Sequence, residues 1–280
     1  MRYLETRPQP PLDRYVECFW TLESDPHLEP GLPQRILPDG CAELILNFGA
    51  RFCEHKEDGT LELQPLHFFV GQMTRPILIT PTGAVQLLGI RFHPGGAFPF
   101  FRQPMHEVTN QVVQLGQLGG ALEQDLLADA VQEPLLSGKI AAVEKWFGQR
   151  LQDCKPDSWL MPLTARIVRL GGQVSIDELA FAAGVSGRQL ERRFLSEVGL
   201  GPKQLCRILR FQQVLRVVEQ DNAGWSAVAV DCGYYDQAHL IRDFREFARQ
   251  TPAVLLAQPN SLTESFSRKN RNVAFFQYSG

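Results

Sequence analysis

The chain has no run of about 18 consecutive apolar residues, so a membrane-spanning helix is not expected. Its opening, Met1-Arg2-Tyr3-Leu4-Glu5-Thr6-Arg7-Pro8, lacks the apolar stretch of a secretory signal. The expected compartment is therefore the cytoplasm. Cysteine is sparse: Cys18, Cys41, Cys53, Cys154, Cys206 and Cys232 include no C-x-x-C pair. That spacing supports neither a disulfide framework nor a zinc site, and the residues read as free thiols. No H-x-H pair occurs, so His55, His67, His93 and Glu43 read as surface or hydrogen-bonded groups rather than metal ligands. The signatures of a nucleophile elbow, a P-loop and a dinucleotide fold are missing too. No cofactor, metal or catalytic residue is expected.

What is present is globular material for two domains of ordinary size. The chain has 280 residues, of which 44% are hydrophobic and 21% charged. The net charge of −3 is unevenly spread: residues 1–158 carry −7, while 159–258 and 259–280 carry +2 each. A basic half behind an acidic one points to a polyanion partner for the second half alone.

The first half reads as short strands. Ala42–Phe48, His67–Gly71, Pro76–Thr80 and Gln86–Phe92 are β-prone, and Pro or Gly bounds them. Such spacing suggests a sandwich or barrel. Pro94-Gly95-Gly96 reads as a turn into a helix. Phe68, Phe69, Phe92, Phe98, Phe100 and Phe101 read as core, with a ligand pocket as the alternative. After Leu115 the period becomes helical, with Ile140, Val143, Phe147 and Leu151 on one face. Residues 1–151 are thus expected to be a first domain of the α+β class. Residues 152–158, polar with Pro156, form the expected linker.

From residue 159 the pattern is all helical, with a first stripe of Leu163, Ile167 and Leu170. Ser175-x-x-Glu178 and Ser186-x-x-Gln189 are capping boxes that open two helices, and the turn Gly184-Val185-Ser186 joins those helices. Pro202 opens a long helix with Leu205, Ile208, Leu215 and Val218 inward. The arrangement then repeats. Ala180, Gly184, Leu190, Phe194 and Pro202 recur as Ala229, Gly233, Leu240, Phe244 and Pro252, with one residue added after the glycine. The expectation is two helix-turn-helix units over residues 159–258, joined by the long helix.

This text resembles the AraC/XylS-type transcription-regulator DNA-binding domain. The matching stretches are Leu179-Ala180, Gly184-Val185-Ser186, Leu190 through Phe194, Gly201-Pro202-Lys203, Arg207 and Arg210-Phe211. The second half adds Ala229, Cys232-Gly233-Tyr234, Asp236 through Leu240, Arg242-Asp243-Phe244, Phe247 and Thr251-Pro252. The first domain, residues 1–151, is similar to a sensor-like domain of unassigned role found ahead of this unit, and the likeness implies a sensor-like or dimerisation domain. Phe19-Trp20, Leu37-Pro38-Asp39-Gly40, Gly71-Gln72-Met73 and Arg91 through Ala97 carry that likeness.

A recognition helix presents its outward side chains to base edges in the major groove. With Leu190 and Phe194 inward, Gly187, Arg188, Glu191 and Arg192 face outward. Arg192 can donate twice to guanine and Glu191 can accept from cytosine. In the second helix the face is Gln237, Ala238, Ile241 and Arg242, with His239 at its edge. Gln237 suits adenine, and Ala238 leaves room for a thymine methyl. The resemblance implies base contacts at Arg188, Arg192, Gln237 and Arg242, whereas Gly187 offers no side chain where the family often has a large one. Lys203 and Gln204, at a helix N-terminus, are the phosphate candidates.

The expected function is a sequence-specific DNA-binding regulator of transcription, controlled by an effector or partner at its N-terminal domain. Double-stranded DNA is the expected partner, with a small-molecule effector, RNA polymerase and a second copy of the chain as further candidates and no membrane. The alternative is a cupin-type enzyme domain carried on a DNA-binding module. An alkyl-accepting thiol at Cys18, Cys41 or Cys53 would need a zinc-binding cysteine cluster that the spacing does not supply. Residues 259–272 read as a connection, and Val273–Tyr278 as a strand added to the N-terminal sheet.

Overall fold

The computed structural model describes residues 2–24, 33–118, 120–152, 159–218, 225–257 and 275–277. The strands are β1 (Arg2–Thr6), β2 (Val16–Glu23), β3 (Gln34–Ile36), β4 (Ala42–Asn47), β5 (Phe52–His55), β6 (Leu61–Leu63), β7 (His67–Val70), β8 (Ile77–Pro81), β9 (Gln86–Phe92), β10 (Val112–Gln114) and β11 (Phe275–Gln277). They form two antiparallel sheets, ordered β1-β2-β9-β4-β7-β10 and β11-β3-β8-β5-β6. Helices α1 (Phe98–Phe101), α2 (Gly120–Gln132) and α3 (Leu136–Gln152) complete the N-terminal half.

The larger sheet is covered on both faces, and its alternation shows how. Leu44, Leu46, Phe69, Leu88, Ile90 and Phe92 point to one side and pack with Phe100, Phe101, Val143 and Phe147 of the helices. Trp20, Leu22, Ile45, Phe68 and Leu87 point to the other side, where they meet Phe52 of the smaller sheet. Burying each of Phe69, Phe92 and Phe147 contributes about 1.5–3 kcal/mol. The aromatic residues therefore split. Phe69, Phe92, Phe100 and Phe101 are helix-side core, with ring contacts at 4.8–6.4 Å, and Phe68 alone of that group faces the space between the sheets.

Four of the expected strands are present within a residue or two. β2 carries no alternation because both of its faces are buried, so its apolar run has no period to read. β5 and β6 are short hairpin strands, the first mostly half-buried and the second exposed, whose turn closes at Gly59, φ 84°. The expected tail strand forms over Phe275–Gln277 and pairs with β3, Phe275 opposite Ile36 and Gln277 opposite Gln34. The remainder of that expectation, and the 153–158 part of the linker, lie outside the described residues.

The C-terminal half holds α4 (Leu160–Arg169), α5 (Ile176–Ala183), α6 (Gly187–Glu197), α7 (Pro202–Val218), α8 (Trp225–Asp231), α9 (Gln237–Phe247) and α10 (Pro252–Leu256). Leu163 and Ile167 of α4 are buried, but Leu170 is 40% exposed because the helix ends before it. Val218 is likewise only partly buried, near the end of the described part of α7. Of the two capping boxes, Ser186–Gln189 is complete. At Ser175 only the hydroxyl half forms, since the Glu178 carboxylate turns to Arg166 at 3.3 Å.

The two halves are docked through a few buried groups. Leu37, after β3, is 3% exposed and belongs to the core of the helical half. Gln212 of α7, also buried, donates to the Pro38 carbonyl at 2.6 Å. Arg35 donates to the Ala248 carbonyl at 3.3 Å. Gly95 lies against Leu160 and Val198, and Thr109 donates to the Gly199 carbonyl at 2.8 Å.

Candidate nucleic-acid interface

Each helix-turn-helix unit is built by the same local chemistry. In the first, Gly184 at φ 64° ends α5, and Ser186 caps α6 by accepting from the Gln189 N–H. In the second, Gly233 at φ 77° follows α8, and Asp236 caps α9 by accepting from the His239 N–H at 2.7 Å. The added residue is Tyr235, which is 90% exposed in the second turn. Leu190 and Phe194 in α6, and Leu240 and Phe244 in α9, are fully buried. The spacing of these residues fixes which face of each helix is turned away from the core.

On α6 that face exposes Gly187, Arg188, Glu191 and Arg192. Glu191 leans over Gly201, where a Cβ would meet its carboxylate, so it sits at the join of α6 and α7. On α9 the matching face exposes Gln237, Ala238 and Arg242, and Arg245 and Glu246 are exposed further along the helix. Arg242 Nε donates back to the Ala238 carbonyl at 3.4 Å. Ile241 is half-buried against the core, so it belongs to the edge of the face rather than its centre. His239 is half-buried too, with its ring edge-on to Tyr234 at 5.1 Å. At the start of α7 Lys203 is exposed, while Gln204 is half-buried and accepts from Arg207 at 3.0 Å.

Sequence reading missed the group that ties α7 to α9. Arg207 bridges to Asp243 at 2.7 Å and to Glu246 at 2.5 Å. Asp243 is 1% exposed. Burial alone would lower the Arg207 pKa, but hydrogen bonds to Glu246 and Asp243 raise it. For Glu246, burial pushes upward and Arg207 more than offsets it, leaving the carboxyl below its usual range. The three residues are 36 and 39 positions apart, and no local period links them. A buried acidic position inside a helix that otherwise buries Leu240, Phe244 and Phe247 was the available signal.

Among the described residues no group of three or more His, Cys, Asp and Glu is arranged to hold a metal ion. The five cysteines among them are free. No helix of the described residues is long and apolar enough to cross a membrane.

Residues 179–258 match a helix-turn-helix domain, and residues 4–114 match a domain of unknown function, DUF6597. Among solved structures, the chain is similar to an AraC-type DNA-binding transcriptional regulator from Chromobacterium violaceum. The two are 27% identical over 35% of this chain and 96% of that one, with a TM-score of 0.31. It is similar to ToxT from Vibrio cholerae O395, bound to (E)-4-(8-methylnaphthalen-1-yl)but-3-enoic acid. That likeness has 9% identity over 85% of this chain and 98% of that one, with a TM-score of 0.45. The AraC-like transcriptional activator CuxR is similar at 15% identity over 79% of this chain and 95% of that one, TM-score 0.25. No curated protein sequence matches.

Proposed function

Residues 179–258 are an AraC-type helix-turn-helix domain, and on that premise we propose how the chain reads DNA and where it is controlled. The chain is a DNA-binding regulator of transcription controlled by an effector. In our reading α6 and α9 enter successive major grooves on one side of the duplex, roughly 34 Å apart. Arg188, Glu191 and Arg192 read bases from α6, and Gln237, Ala238 and Arg242 read them from α9. His239 lies at the rim of the second contact, and Lys203 and Gln204 meet phosphate at the start of α7. The effector acts through the N-terminal domain, in the cytoplasm, with a second copy of the chain and RNA polymerase as further partners.

One observation carries this reading. Two helices that bury the same pair of positions, Leu190 with Phe194 and Leu240 with Phe244, each leave an arginine exposed two residues after the leucine. Arginine at such a place has the donor geometry for a guanine edge. The enzyme alternative draws no supporting observation from the described residues.

The test starts from a genome-wide footprint of the bound DNA. Fluorescence anisotropy on the recovered site, over a salt series, should give tight binding with a steep salt slope and a large preference over random duplex. Equal affinity for the site and for random duplex at physiological salt would overturn it.

A further inference from the structure

Between the two sheets lies a cavity of about 100 Å³. An apolar cavity of about 150 Å³ takes benzene, so this smaller one suits a molecule below single-ring size, such as a short alkyl chain. Its walls are apolar and aromatic, with Trp20, Phe52 and Phe68 among them, and one end is charged. At that end Arg91, 3% exposed, pairs with Asp39 at 2.5 Å and Glu43 at 2.7 Å. Glu17 stands behind them, accepting from the Cys41 thiol at 3.5 Å. Arg91 is the sole cation among the lining residues, and two lining carboxylates face it. The charged end thus carries surplus negative charge around a buried guanidinium, where an unbalanced charge is costly. The Trp20 indole N–H is also buried without a hydrogen-bond partner.

The charged end is wired to the DNA-binding half. Asp39 lies in the short segment Leu37–Gly40. Leu37 lines the cavity and is also part of the helical core. The Pro38 carbonyl accepts from Gln212. Gly40, at φ 85°, rests on Leu205 and Leu209, and its carbonyl accepts from buried Gln72 at 2.8 Å. Leu205, Leu209 and Gln212 share one face of α7, the helix that joins the two helix-turn-helix units.

We propose that this cavity is the effector site, that it takes a short-chain alkyl amine in its protonated form, and that Leu37–Gly40 passes occupancy to α7. The proposal rests on the reading of the chain as an effector-controlled regulator, and it names the ligand class and the route. A protonated amine meets the two carboxylates and the faces of Trp20, Phe52 and Phe68, which attract cations. A carboxylate ligand would meet Asp39 and Glu43 instead, with Arg91 already paired. An acceptor oxygen elsewhere on the ligand would match the Trp20 N–H. Once an ammonium competes with Arg91 for Asp39, the segment that carries Asp39 is re-seated. The face of α7 resting on that segment moves with it, and so does the relative setting of α6 and α9.

Binding of n-propylamine to the full chain, read by tryptophan fluorescence and thermal shift, tests the site. Butyrate and 1-propanol are the controls. The amine should bind and raise the melting temperature, the alcohol should bind more weakly, and the acid should not bind. Glu43→Gln should weaken the amine about tenfold, the effect of one charge-assisted contact. Burial raises the Asp39 carboxyl to about 6, against the pull of Arg91 and with the push of Glu43. Amine affinity should therefore fall as the pH drops through 6 and Asp39 takes a proton, with Arg91, Glu43, Glu17 and Cys41 as the groups around it. Amine should also change affinity for the footprinted DNA site. Gln212→Leu, which removes the Pro38 contact, should keep amine binding and lose that response, and it serves if Glu43→Gln fails to fold.

Equal or tighter binding of the acid overturns the proposal, as does absence of amine binding by a protein that still recognises its DNA site. An amine that binds with no change in DNA affinity overturns the route. Loss of all sequence preference for DNA would instead sink the regulator reading, while the fluorescence result still judges the cavity.

Discussion

The two helix-turn-helix units share their buried positions and differ in what braces them. The first is braced by the N-terminal domain: Gly199, just past α6, accepts from Thr109, and Val198 lies under Gly95. The second is braced chiefly from α7, through Arg207, Asp243 and Glu246. The same contrast appears in the backbone. Gly199 has φ 92°, and the matching position of the second unit is Arg249 at φ 57°. A glycine is required where the neighbouring domain presses close, since a Cβ at Gly199 would stand 3.0 Å from the Met105 carbonyl oxygen. At the second site the side chain has room, and it reaches Glu57 at 3.4 Å. One motif has thus been fitted to two environments, with the repeat kept where side chains enter the shared core and relaxed where the surroundings differ.

The largest expected effect tests what the units share. Leu190→Ala and Leu240→Ala should each cost about 2–5 kcal/mol in denaturant unfolding, because both empty a fully buried site. A loss below about 1 kcal/mol in either would remove that leucine from the common core.

Next comes the exposed face. Arg192→Ala and Arg242→Ala should each weaken specific DNA binding by about 1–3 kcal/mol and relax the preference at one base pair. The melting temperature should hardly move, as both side chains are exposed. Unchanged affinity in both variants would show that another face meets the DNA.

The αL positions should separate the units. Gly199→Ala should cost about 1–2 kcal/mol or more, from left-handed strain plus the Met105 contact. Arg249→Gly should stay within about 1 kcal/mol of the parent, since relief of strain offsets the added freedom of the unfolded chain. Equal losses would mean the N-terminal domain does not press on the first unit.

The smallest effect is in acid. The Glu246 carboxyl is lower in the folded chain than its ordinary 4.5. Its contribution is therefore full above that value and is lost as the pH falls through the lower folded one. Amide exchange in α9 should quicken over that window before exchange in α6 does. Simultaneous loosening of both helices would deny the polar brace a role.

The readable parts of this molecule were those with a local cause. The repeat was visible because buried side chains on a helix recur every three or four residues and a left-handed cap calls for glycine. Leu190, Phe194, Leu240, Phe244, Gly184 and Gly233 all carry that mark. The exposed faces of α6 and α9 followed from the same spacing. Strand β2 and the Arg207 group were not readable, the first because burial on both faces erases alternation, the second because its members meet only after folding.

By itself, then, the sequence determined four strands of the first half, the two related helical units and the helix faces they present, since backbone geometry alone ties those features to neighbours a few residues away. Only the tertiary structure decided that β9 runs between β2 and β4, that Arg91 meets Asp39 and Glu43 at the end of a cavity, and that Leu37 enters the core beneath α7. Those pairings join residues tens to well over a hundred positions apart. Which of them forms depends on how the whole chain best buries its apolar surface while keeping polar groups paired, and no short window of sequence contains that choice.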